Sequence, residues 1–232
     1  MSAVQGENIF ITNHHPYILT ILFSWFVKLG QHFGDAAFGV ACYVLIQMML
    51  LALVYAGGLY YMHACGVTRK RMIGTMLLFM FIPVFPMYAI CMLKDTFYAT
   101  FCLIFMLMMH YVARSKGQAF RHVWFTISFF FVACMMILTK VYAMYILLIV
   151  GAVYLIKYRQ QFIQIIASVM LPVVLYKFVF CGMLLPALNV APGGLQEALS
   201  VPFQQTARYV TEYGDEVTAA EKKAINQILP YK

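Results

Sequence analysis

Carboxylates are scarce in this chain: eight Asp and Glu stand among 232 residues, against sixteen Lys and Arg, and charged residues make up only 10% of the whole. A soluble domain carries about 25% charged and roughly 45–50% apolar residues. Here the apolar share is 64%, which excludes a water-soluble core. There is no GxSxG elbow, P-loop or dinucleotide fingerprint, so the enzyme chemistries built on those loops are unsupported. No internal repeat is evident, contrary to the duplication expected of an inverted-repeat transporter. None of the six cysteines has metal-ligand spacing. Cys42, Cys91, Cys102, Cys134 and Cys181 lie within apolar runs and Cys65 at the end of one, where each reads as a soft packing residue.

The charge that is present is partitioned along the chain. Three short links, Arg69-Lys70-Arg71, then Arg114, Lys116 and Arg121, then Lys157 and Arg159, hold half of the basic residues and no acid. The formal net charge of +8 therefore resides in those links. Because they flank apolar runs, their natural neighbour is anionic lipid, and nucleic acid is excluded as a partner. Basic links stay in the cytoplasm, which makes the acidic side extracytoplasmic.

Run length predicts an all-α, polytopic protein of the plasma (inner) membrane with about six spans, at 36–62, 72–93, 96–113, 123–139, 141–156 and 162–185, each needing roughly 20 residues to cross about 30 Å. The fourth and fifth meet at Lys140 with no Gly or Pro between them. One long helix is the alternative, but basic links on both sides require an even number of crossings, which places Lys140 at an outer tip. The same parity turns the chain at Lys94-Asp95. Residues 1–35 form an extracytoplasmic loop with an amphipathic helix at 17–32, either lying on the outer leaflet or re-entrant. Residues 36–185 are the membrane domain, and residues 186–232 an extracytoplasmic segment. Its two short helices begin near Pro202 and at Thr218, the second with a capping box to Glu221. Pro83, Pro86 and Pro172 should kink or break their spans unless neighbours satisfy the freed carbonyls. Both termini fall outside, yet residues 1–15 lack the regions of a signal peptide. A preceding transmembrane helix in a longer protein is the expectation.

Candidate chemistry gathers at the outer face. Lys94, Lys140 and Lys177 are suited to cradle a phosphate, and Lys177, well inside its run, is alternatively a snorkelling anchor. Asp95 suits a general base or a ligand for a divalent metal; as a plain alternative it caps the helix that follows. His14 and His15 point apart in an extended chain and lack i,i+4 metal-site geometry, so a loop role is the more natural one.

Several stretches carry a family resemblance. NHHPYILTILFSWFVKLG resembles the first outer loop of GT-C membrane glycosyltransferases, the group that includes protein O-mannosyltransferases and lipid A aminoarabinose transferases. YAICMLKDTFYATFCLIFML looks like the hairpin where that group places an acidic residue, and ILTKVYAMYILL like its later Thr-Lys hairpin. The segment EALSVPFQQTARYVTEYGDEVTAAEKKAI is similar to that of an uncharacterised bacterial branch. The resemblance implies transfer of a sugar from a polyprenyl-phosphate donor to an acceptor at the outer face. Under it Asp95 is the active-site carboxylate and Lys140 touches the donor phosphate. His14, His15, Gln204, Gln205 and Arg208 are then candidates for the acceptor side or loop framework. The group's acidic residue ahead of the His-Pro stretch has no assigned counterpart, Glu7 being the only upstream carboxylate.

Overall fold

The computed structural model describes residues 3–5, 8–10, 16–190, 200–213 and 216–226. Apart from a short antiparallel pair, β1 (Ala3–Gln5) with β2 (Asn8–Phe10), the described chain is helical. Among the described residues three helices are long and apolar enough to cross a membrane: α2 (Ala36–Ala64), α5 (Lys94–Arg114) and α8 (Arg159–Ala187). A fourth is made by α3 (Arg69–Phe81) with α4 (Val84–Ile90), if that pair, bent by 56°, is one span. Two further apolar helices, α6 (Val123–Thr139) and α7 (Ala143–Lys157), are shorter. Leu53, Phe81, Ile156 and Ile163 are each 70% or more exposed. Exposed side chains of that kind along the apolar helices mark a surface suited to lipid, the pattern of a helical membrane protein.

Local chemistry sets the helix ends. The Asp35 side chain accepts the Ala37 N–H at 2.9 Å and starts α2. Lys140 is extended (φ −152°, ψ 111°), which separates α6 from α7 and disposes of a single long helix. Ile82, preceding Pro83, is likewise extended, as a residue before proline must be, and the α3–α4 bend falls there. Tyr55 of α2 fills that elbow, stacked on Phe79 at 4.4 Å with Phe85 edge-on. Pro172 does not break α8. It lies buried between two π-helical stretches, 166–170 and 175–184, whose wider turns absorb the missing N–H.

The helix expected at 17–32 is present as α1 (Tyr17–His32), and of the two placements, on the outer leaflet or re-entrant, its packing suits the second. It folds back along α2 as an antiparallel hairpin, with Phe23 and Phe26 edge-on to Tyr43 at 5.1 and 5.4 Å. The contact is backbone to backbone at its tightest point: a Cβ on Gly39 would collide with the Phe26 carbonyl, and one on Gly30 would meet Gly39. Small residues let two helices approach this closely when dispersion, rather than water, drives them together.

The core lies between α5, α6, α7 and α8, with Phe105, Phe129, Met136, Leu147, Ile165 and Val169 essentially inaccessible. Gly151 of α7 makes room for Met170 of α8. At one end of this core the second and third basic links meet, Gly117 (φ +83°) lying against the Tyr158 ring. At the other end the 94–95 and 140 turns meet. The bundle therefore has an arginine end and an Asp95 end.

Residues 192–232 form a unit of their own. Within it α9 spans Ser200–Glu212 and α10 spans Ala219–Asn226. The expected capping box is formed: Glu221 Oε2 accepts the Thr218 N–H at 2.8 Å, and Thr218 Oγ accepts the Glu221 N–H at 3.3 Å. The Thr218 N–H first, and then the Thr218 hydroxyl, which also donates to Oε2 at 2.8 Å, hold the Glu221 carboxyl below its ordinary range.

Candidate functional site

Asp95 and Lys140, 45 residues apart in sequence, form an ion pair with Lys140 Nζ donating to Asp95 Oδ1 at 2.8 Å. Each member sits at an interruption of helix. Asp95 is in the first turn of α5, where the positive end of the helix dipole favours a carboxylate. Lys140 follows the last turn of α6, whose end is tied by Thr139 Oγ to the Met135 and Met136 carbonyls. The capping alternative for Asp95 does not describe the site. Leu93 occupies the cap position, and the Asp95 carboxylate turns to Lys140 instead.

The pair is about 40% exposed, Lys140 at 38% and Asp95 at 42%. A pair this open contributes roughly 0–1 kcal/mol to stability. Stability alone therefore does not account for its presence. The Tyr98 ring lies 5.3 Å from Lys140 Nζ, within cation–π range.

Two cavities have Asp95 in their walls. One, of about 370 Å³, lies between α2, α4 and α5 and is lined by Leu51, Tyr55, Phe85, Tyr88, Tyr98 and Lys140 as well as Asp95. The other, of about 340 Å³, lies against α1 and is lined by Pro16, Leu19, Thr20, Phe23, Lys94 and Asp95. Lys94, Asp95 and Lys140 are thus brought to one region. Lys177 is not joined to them: it is exposed on a π-helical turn of α8, and no hydrogen bond or ion pair links it to Asp95 or Lys140. His14 and His15 lie outside the described residues. Gln204, Gln205 and Arg208 are exposed on α9, within the second unit. Among the described residues no three His, Cys, Asp or Glu side chains converge.

The wall behind Asp95 was not anticipated from sequence. Gln47, 1% exposed in the middle of α2, donates through Nε2 to the Ala89 and Cys91 carbonyls at 2.9 Å and to Tyr88 at 3.4 Å. Tyr43 Oη donates to Gln47 Oε1 at 2.9 Å, and Thr96 Oγ donates to the Tyr88 carbonyl at 3.0 Å. These side chains satisfy the carbonyls orphaned at the end of α4 and fix α4 beside Asp95. The available signal was a Tyr and a Gln four residues apart in an otherwise apolar run.

A family model described as a family of unknown function, DUF6020, matches residues 5–232. The chain belongs to this family. No curated protein and no solved structure matches it. For this family member the Asp95–Lys140 pair between two cavities is the feature around which a function can be built.

Proposed function

We propose that this DUF6020 protein crosses the plasma membrane six times with its three basic links in the cytoplasm. Its Asp95 end then acts at the outer face on a polyprenyl-phosphate-linked sugar, as a GT-C-type glycosyltransferase or the membrane portion of one. The observation that carries the reading is the Asp95–Lys140 pair, weak as a stabiliser, opening onto an apolar groove lined by aromatic residues. A prenyl chain suits such a groove, and a lysine at its mouth suits the phosphate. Helix α6, at 17 residues, reaches about 26 Å; α7, at 15, reaches about 23 Å and needs its flanking Tyr142 and Tyr158 as interfacial anchors to cross.

In the proposed reaction the donor phosphate draws Lys140 from Asp95. The acceptor oxygen attacks the anomeric carbon, whose bond to the phosphate oxygen breaks, and the phosphate leaves with the electron pair, neutralised by Lys140 and Lys94. Asp95 takes the acceptor proton. Lys177 is left out because nothing joins it to the pair.

The test is release of polyprenyl phosphate and appearance of labelled sugar on envelope acceptors, using the protein in lipid nanodiscs with polyprenyl-phosphate hexose. Asp95→Asn should lower turnover by about 100-fold or more, the contribution typical of a general base. Unchanged turnover would remove Asp95 from the mechanism. Transbilayer movement of labelled lipid with no covalent product would replace transfer by flipping.

A further inference from the structure

Toward the arginine end, α2 and α5 border a separate groove of about 440 Å³ whose walls are almost wholly apolar. Gly57, Leu107 and Met108 line its length, and Tyr61 and Tyr111 lie toward that end. Nothing stands within 4 Å of where a Gly57 side chain would begin, so the trough is open there. The end itself is polar: Tyr61 Oη and His110 Nδ1 are 2.7 Å apart, and Arg114 follows His110 by four residues, one turn along the same face of α5. Arg114 is exposed and forms no ion pair with a described carboxylate. Lys116, Arg121, Lys157 and Arg159 belong to the two links that meet at this end.

We propose that this groove is a binding site for an anionic glycerophospholipid. One acyl chain runs along Gly57 and Leu107, and the phosphate lies at Arg114, within reach of the Tyr61 hydroxyl. Charge decides the occupant. A zwitterionic lipid fills the trough equally well but brings a cation toward an end that already carries unneutralised arginine and lysine, whereas an anionic headgroup supplies the missing partner. On the orientation proposed above, the lipid comes from the cytoplasmic leaflet. The site is separate from Asp95 and its test does not depend on sugar transfer.

The test equilibrates the full chain in mild detergent with equimolar phosphatidylglycerol and phosphatidylcholine, and counts bound lipid by native mass spectrometry. Wild-type protein should prefer phosphatidylglycerol about fivefold, the effect of one well-placed arginine near a membrane surface. Arg114→Gln, a change at an exposed position, should bring the preference close to unity through loss of phosphatidylglycerol, with no fall in bound phosphatidylcholine. Gly57→Leu should lower occupancy by both lipids, with its thermal midpoint confirming that it folds. Equal occupancy by the two lipids in wild type would overturn the proposal, as would a wild-type preference retained by Arg114→Gln.

Discussion

Asp95 and Lys140 are joined in a pair too exposed to matter much for stability, so their removal should separate function from folding. Lys140→Ala is expected to shift the thermal midpoint in detergent by the equivalent of about 1 kcal/mol or less while lowering turnover of the lipid-linked donor. A large loss of stability instead would make the pair structural. Gln47 should behave in the opposite way. Gln47→Leu removes the donor shared by the Ala89 and Cys91 carbonyls, and each buried group left unsatisfied costs about 1–3 kcal/mol, which a fall in the thermal midpoint would report. Glu221 titrates with a definite sign. Its pKa is lowered from an ordinary value of 4.5, so the capping stabilisation is fully present above that value and is lost as pH falls through the lower folded one. Amide protection at residues 219–223, taken relative to the intrinsic exchange rate at each pH, should fall on acidification across that window, and Glu221→Gln should flatten the response.

Among the elements, those written in turn chemistry were legible and those written in tertiary contact were not. Lys140 separates α6 from α7 and Pro83 bends the second apolar run, as parity and proline geometry required. The α1–α2 hairpin was hidden because apolar periodicity names a face but not its partner, and in lipid nearly every face is apolar. What decides that packing is the Gly30–Gly39 approach, a spacing across two helices with no local signature. Gly39→Ala should therefore destabilise the hairpin by about 1–3 kcal/mol through overpacking, read as faster exchange in α1. Gly57→Ala, which meets nothing, should leave exchange there unchanged. Pro172 shows the same limit from another side: the π-helical turns that accommodate it depend on helix-helix packing.

For the whole molecule, the uneven distribution of charge was the most informative feature of the sequence, and the bundle's two ends correspond to it. The second and third basic links meet at Gly117 and Tyr158, and the turns bearing Asp95 and Lys140 meet at the other end. The candidate site was legible as far as the grouping of Lys94, Asp95 and Lys140, because ionisable residues in apolar runs are rare. Gln47 escaped notice because it carries no charge, and Lys177 was grouped with the other lysines by depth when depth does not specify which way a side chain points. The proposed action on a lipid-linked phosphate requires the Asp95 end to face outward. The most direct measurement is labelling of single cysteines, in a cysteine-free background, by an impermeant maleimide added to intact cells. The account predicts labelling at Asp35→Cys and none at Lys70→Cys or Lys116→Cys until the cells are opened. Labelling at positions 70 and 116 from outside, with position 35 protected, would contradict it.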